Sequence, residues 1–197
     1  MKIAIITSLC GLQTKLKEPS TKFGGVDYIA FVDHIHDGCD TWEQRLSLDF
    51  TLDVEYNGRR NAKIYKVMPQ MFLPEYDYWF WVDSTHEVIV DPKTIINQYL
   101  GDSDIALWKH TDRDCLYSEA NIVKELRIDH IDLVNSQIEY YKSIGYPENN
   151  GLYELPVSIR KNTDRIKILN MRWWEQICKY SSRDQISMPF VLWKTDI

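Results

Sequence analysis

The run Tyr76-Asp77-Tyr78-Trp79-Phe80-Trp81-Val82-Asp83-Ser84-Thr85 decides how this chain is read. Tyr76 to Val82 is the most apolar stretch in the middle of the sequence, and it reads as a central strand running into one carboxylate. Open α/β sheets place their ligands beyond the carboxyl ends of the strands. Asp83 therefore stands where chemistry is expected, with the Thr85 hydroxyl two residues on. Mg²⁺ and Mn²⁺ take oxygen ligands and often use only one or two carboxylates plus substrate phosphates. Asp83 and Thr85 fit such an ion. The plainer reading of Asp83 is a strand-end residue that caps a turn.

On the N-terminal side, Lys2 to Ser8 reads as a buried strand ending at Thr7-Ser8. Pro19 to Gly25 is rich in turn residues, and Tyr28 to Val32 is a second short apolar run closed by Asp33. Two such strands joined by a loop or short helix suggest a parallel α/β start. Leu46, Leu48, Phe50, Leu52, Val54 and Tyr56 alternate with polar residues, the pattern of a half-buried strand. Asn57-Gly58 ends that run, and Asn57 suits the N-cap of a helix that puts Ala62, Ile64, Tyr65 and Met68 on one face before Pro69.

On the C-terminal side, Glu87 to Val90 reads as a short strand stopped by Asp91-Pro92. Lys93 to Leu100 reads as helix, and Asp104 to Trp108 as a strand ending near His110. Ser118 to Leu126 and Asp129 to Ile144 read as helices, with Gly145 as a C-terminal stop. Leu152 to Ile159 reads as strand. Asn170 to Tyr180 and Ser182 to Lys194 read as helices, the latter bent by Pro189. No repeat, low-complexity tract or linker divides the sequence. The expectation is one α/β domain over 1–197: a mostly parallel central sheet flanked by helices, with a helix-rich C-terminal part.

At 197 residues and 44% hydrophobic the chain can bury a core. No apolar run approaches the roughly 20 residues of a membrane span. The apolar start at Ile3 to Ile6 is too short for a signal segment and lacks a small-residue cleavage site. Cys10, Cys39, Cys115 and Cys178 lie far apart without CxxC spacing, as expected of a reducing, cytoplasmic compartment. A net charge of −6 argues against a nucleic-acid partner. Against that acidic background, Asn57 to Met68 carries Arg59, Arg60, Lys63 and Lys66 with no acid, either a small anion site or a solvated helix face. Seven Trp and twelve Tyr suit carbohydrate faces, although a Trp-rich core is the commoner reason for such density.

Thr7-Ser8, Asp33, Asp83 and His110 are polar groups at the ends of candidate strands, and their convergence carries the argument. His110 offers a nitrogen ligand that Mn²⁺ accepts better than Mg²⁺, or a hydrogen bond to phosphate. Asp33-His34-Ile35-His36-Asp37 has two histidines on one face, which suggests zinc, but no third ligand is evident from sequence. Arg183-Asp184-Gln185 follows Ser182. Ser182 and Gln185 match a capping box, while Asp184 alternatively serves as a general base or clamp at a sugar hydroxyl.

Several of these residues together resemble a known family. Arg60-x-x-Lys63, Tyr65-Lys66, the strand ending Trp81-Val82-Asp83, and Asp91-Pro92 are similar to the TOD/MUCI glycosyltransferase-like family. So are Ala106-x-x-x-His110-x-x-Arg113, Glu119-Ala120, Trp174-Glu175 and Arg183-Asp184-Gln185, so that the likeness runs from about Trp42 to Trp193. The chain is also similar to virus-encoded glycosyltransferase domains, which would place it in the host cytoplasm. The resemblance implies a GT-A, Rossmann-like fold that binds a nucleoside-diphosphate sugar, UDP-linked in the usual case, with Mn²⁺ or Mg²⁺. It implies uridine and ribose contacts at Thr7 and Asp33, and diphosphate contacts at Arg60, Lys63 and Asp83. It further implies a metal held by Asp83, Thr85 and His110, and sugar contacts at Arg113, Glu119, Arg183 and Gln185. Asp184 is then the catalytic base if the reaction inverts, or orients the sugars if it retains configuration, and the acceptor is a glycan or glycoprotein. The family's second Asp is absent: Asp83-Ser84-Thr85 stands where Asp-x-Asp is usual. A short domain of this kind suits a longer multidomain chain. The competing readings are a nucleotide-sugar or carbohydrate-binding module without turnover, a phosphohydrolase, and an interaction protein.

Overall fold

The computed structural model describes residues 1–11, 15–48, 57–195 and 197. A six-stranded sheet runs β3-β2-β1-β4-β6-β5. Its strands are β1 (Ile3–Leu9), β2 (Asp27–Val32), β3 (Glu43–Leu46), β4 (Tyr78–Val82), β5 (Ile105–Lys109) and β6 (Tyr153–Lys161). β1 pairs in parallel with β2 and β4, and β2 in parallel with β3. β4 and β6 are antiparallel. The sheet is mixed, with the parallel part at the N-terminal side. Every residue of β1 is buried, as expected for a strand covered on both faces.

The helices are α1 (Asn57–Val67), α2 (Pro92–Ile95, continued by a π turn at Ile96–Leu100), α3 (Leu116–Glu125), α4 (Ile131–Ser143), α5 (Asp164–Lys179) and α6 (Asp184–Thr195). Two compact units emerge: Met1–Ala106 with Pro156–Lys167, and Leu107–Leu155 with Ile168–Ile197. In the first unit, Ile3, Ile5, Tyr28, Phe80, Val82 and Ile159 form one core cluster, joined by Val88 and Ile96. Trp79 is fully buried, and its indole donates to Leu73 O at 3.0 Å. Arg160 is buried beneath α1, where its guanidinium donates to the carbonyls of Lys66 and Val67. Burial pushes its pKa down to about 9, which leaves it charged at neutral pH.

The second unit is organised by aromatic rings. Tyr141 stacks on Phe190 at 3.9 Å, and Tyr146 meets Trp193 edge-on at 5.3 Å. The Tyr141 hydroxyl accepts from Gln137 and donates to Gln176. Trp173 is fully buried and donates to Ser187 Oγ at 3.0 Å. The aromatic richness is thus spent largely on cores, Trp81 included.

Some expectations change. Glu87–Val90 is not a strand: Val88 turns into the first core while Ile89 and Val90 stay exposed. A short apolar run looks like a strand by composition, but this one anchors a connection through a single residue. Asp91 then caps α2, accepting from Lys93 N at 2.9 Å. A short strand that was not expected occurs at Glu43–Leu46, while most of the strand read from Leu46 to Tyr56, at 49–56, and the Asn57 side-chain cap lie outside the described residues. α5 begins six residues before the expected Asn170, since Asp164 rather than the later apolar run opens it. The expected capping box fails because both Ser182 N and Ser182 Oγ donate to Asp129.

Trp79→Ala removes a buried ring and its hydrogen bond, and is expected to lower stability by about 3–5 kcal/mol in urea unfolding. Trp79→Phe, which keeps most of the volume, is expected to cost less than half as much.

Candidate active site

β4 delivers Asp83, and the two-residue period of the strand puts Trp81 and Asp83 on one face. Trp81 Nε1 donates to Asp83 Oδ1 at 2.6 Å, and Asp83 N donates to Pro156 O at 2.7 Å. Lys66, in the last turn of α1, brings Nζ to 3.5 Å from the same carboxylate oxygen and 5.5 Å from the Trp81 ring centre. The Lys66 side chain is 1% exposed and that of Asp83 39%. One side of the carboxylate thus faces a buried cation, and the group still reaches solvent. Lys66 is a site residue that sequence reading passed over in favour of Arg60 and Lys63. Its signal was present: it is the member of the basic segment flanked by the buried pair Tyr65 and Val67. Arg60 and Lys63 lie half-buried on the same helix.

Thr85 is exposed, and its hydroxyl lies 2.9 Å from His86 Nδ1. Beside the end of β4 opens a pocket of about 160 Å³, with Ile5, Tyr28, Trp42, Val82, Thr85 and His86 on its walls. Tyr28 and Trp42 meet edge-on at 5.5 Å. Thr7 and Asp33 are not among its lining residues. Thr7 is 1% exposed, and its hydroxyl is enclosed without a hydrogen-bond partner. Asp33 accepts from Gly11 N at 2.7 Å and lies 2.7 Å from His34 Nδ1. Burial would raise the Asp33 carboxyl, but the Gly11 bond and His34 outweigh it and hold the group below the usual range.

The second unit holds a tight polar set. His110 N donates to Leu152 O at 2.8 Å, and His110 Nδ1 accepts from the backbone N–H groups of Asp112 and Arg113. Arg113 Nη2 lies 2.9 Å from His110 Nε2 and 2.8 Å from Glu119 Oε2, which also accepts from Arg113 Nε at 3.1 Å. Glu119 is almost fully buried at the start of α3. Nδ1 of His110 is therefore taken up as an acceptor, and Glu119 holds a partly exposed guanidinium beside the ring.

α6 opens with Asp184, which is 3% exposed. Arg183 Nη2 donates to Gln185 Oε1 at 3.2 Å, and Gln185 Nε2 donates to Tyr153 O at 3.3 Å. The preceding turn is fixed by Asp129, whose Oδ2 accepts from Ser181 Oγ, Ser182 N and Ser182 Oγ at 2.9, 2.7 and 2.7 Å. Asp129 was read from sequence only as a helix start; 52 residues separate it from Ser181, and no local pattern announces the contact.

The mixed α/β sheet, with a carboxylate at the end of a central strand, has a counterpart among solved structures. The apo structure of the bifunctional glycosyltransferase WbbM superposes with a TM-score of 0.54 at 11% identity, covering 96% of this chain and 37% of that one. Residues 52–197 match the TOD1/MUCI70 glycosyltransferase-like domain, and the chain belongs to that family. A relative from Arabidopsis thaliana, the probable hexosyltransferase MUCI70, is 26% identical over 145 residues, which is 68% of this chain and 25% of the relative. The chain thus spans about a quarter of that relative's length.

Burial would raise the Asp129 carboxyl, but the bonds from Ser182, His130 N and Ser181 outweigh it and hold the group below the usual carboxylate range. A depressed pKa contributes stability above the unfolded value and loses it as pH falls through the folded one. Asp129→Ala is expected to cost about 1–3 kcal/mol at pH 7 by leaving buried donors unpaired. In urea titrations the gap from wild type shrinks as pH falls below the unfolded carboxylate range; a gap independent of pH would refute the assignment.

Proposed function

We propose that this domain transfers a sugar, a hexose or deoxyhexose, from a nucleoside diphosphate, UDP in the first instance, to a hydroxyl of a glycan or glycoprotein. The observation that carries this reading is Asp83 at the end of β4, reaching solvent with Lys66 buried behind it, in a chain of the TOD1/MUCI70 family. The name of the Arabidopsis relative supports a hexosyl donor.

The chemistry breaks the bond from sugar C1 to the diphosphate oxygen and forms one from C1 to the acceptor oxygen, while the acceptor proton passes to a base. Negative charge grows on the leaving diphosphate, and cations around it lower the barrier. Lys66, Arg60 and Lys63 supply positive charge from α1. Asp83 would hold Mn²⁺ or Mg²⁺, which would supply Lewis-acid stabilisation of the same charge. The donor set fits such an ion in part: Asp83 and the hydroxyls of Ser84 and Thr85 supply oxygens, and phosphate and water complete a shell of that kind. Among the described residues Asp83 belongs to no group of three or more close His, Cys, Asp or Glu ligands, so the ion depends on the donor's phosphates. Tyr28 and Trp42 offer ring faces to the base or the sugar. Arg113, oriented by His110 and Glu119, serves as a sugar clamp, and Arg183 and Gln185 act with Asp184 at the acceptor, Asp184 taking its proton if the reaction inverts.

Melting temperatures with a panel of nucleoside diphosphates and their sugars, each with Mn²⁺, Mg²⁺ or EDTA, test this reading. A ligand at about 100 times Kd stabilises by about 2.7 kcal/mol. One nucleotide class is expected to raise the melting temperature with metal and much less with EDTA. Asp83→Asn keeps an acceptor for Trp81 and is expected to lose the metal-dependent part. An equal shift in that variant would overturn the metal assignment, and no shift with any nucleotide would overturn the donor class.

A further inference from the structure

The end of β2 carries a second set of ligands. One ligand atom each from Asp33, His34 and His36 lies within 4.8 Å of the other two. The two imidazoles face each other with ring centres 4.4 Å apart, and His34 Nδ1 is 2.7 Å from Asp33 Oδ1. His36 is only 7% exposed, and its Nε2 has no hydrogen-bond partner. Its Nδ1 receives one long contact, from Leu16 N at 3.4 Å. Leaving a buried polar atom unpaired costs about 1–3 kcal/mol, so an imidazole held this way calls for a partner.

We propose that Asp33, His34 and His36 form a binding site for a divalent ion of the Zn²⁺ class, separate from the donor-linked ion at Asp83. The sequence shows two histidines and no third ligand; folding supplies the third by turning Asp33 back against His34 through the bond from Gly11 N. Two imidazoles and a carboxylate suit zinc, cobalt and nickel better than magnesium or calcium. Zinc–ligand bonds of about 2.0–2.2 Å in tetrahedral geometry place ligand atoms about 3.3 Å apart. The set closes to that spacing by rotation of His34, whose side chain is 64% exposed. The ion takes the place of the hydrogen bond between His34 Nδ1 and Asp33, and the proton of the neutral His34 ring sits on Nε2. Ligation at His36 Nε2 puts that ring's proton on Nδ1 and releases the long Leu16 contact. Three protein ligands leave a fourth position open, with Asp33 and His34 both reaching solvent. The ion would fasten the loop after β1, through Gly11, to the loop after β2. Residues 33–36 lie outside the family match at 52–197, so the site belongs to the part of the chain that the family does not describe.

The test uses the full chain, stripped with EDTA and dialysed, then titrated with Zn²⁺ in a calorimeter and with Co²⁺ by absorption. One equivalent of Zn²⁺ is expected to bind, and His34→Ala and His36→Gln are each expected to weaken it by more than about tenfold. His34 is exposed, so His34→Ala leaves the core intact even if His36→Gln disturbs it. The cobalt spectrum is expected to show ligand-field bands without thiolate charge transfer. Thiolate charge transfer, unchanged affinity in His34→Ala, or no zinc binding at micromolar concentration would each overturn the proposal. None of these readouts depends on donor binding, so the site stands or falls apart from glycosyl transfer.

Discussion

Asp83 shares one carboxylate oxygen between the Trp81 indole and the Lys66 ammonium, and much of the first unit is arranged to make that sharing possible. A lysine as buried as Lys66 requires a counter-charge, because desolvation of an unpaired ammonium costs several kcal/mol. α1 must therefore lie over the sheet with its last turn at the end of β4, and the Arg160 guanidinium fixes that turn by donating to the Lys66 and Val67 carbonyls. The same pairing leaves the rest of the Asp83 carboxylate facing outward, at the sheet end where α/β folds bind ligands.

Lys66 also bears on the missing second Asp. Where two carboxylates hold an ion between them, negative charge exceeds positive until the ion arrives. Here one carboxylate already has a buried cation beside it, which weakens its attraction for a divalent ion, so under the proposed function phosphate oxygens of the donor would have to contribute to holding one. In the proposed reaction, metal and donor would therefore bind together at one Asp with Ser84 and Thr85 beside it.

The strands of this fold could be read from sequence because their residues obey local rules. β1, β2 and β4 are apolar runs that end in polar residues, and each is found within two residues of its expected bounds. Glu87–Val90 misled because composition does not reveal whether a neighbouring strand edge exists. Among the candidate residues, Asp83 in the first unit and His110, Arg113, Glu119 and the Arg183-Asp184-Gln185 run in the second stand out by position or motif. Lys66 and Asp129 do not. Both act through long-range contacts, Lys66 with Asp83 and Asp129 with Ser181 and Ser182, which no window of local sequence contains. His34 and His36 were visible as a pair, but the part played by Asp33 became plain only once the chain had turned.

Under the proposed function the chain consumes a nucleotide sugar. The most direct measurement is release of free nucleoside diphosphate from a panel of nucleoside-diphosphate sugars, with water or simple glycans as acceptors, with and without Mn²⁺. The account predicts that one donor class is turned over, that metal accelerates it, and that Asp184→Asn slows it by about 10²-fold or more. A nucleotide sugar bound but never cleaved under any of these conditions would contradict it and leave a binding module in its place.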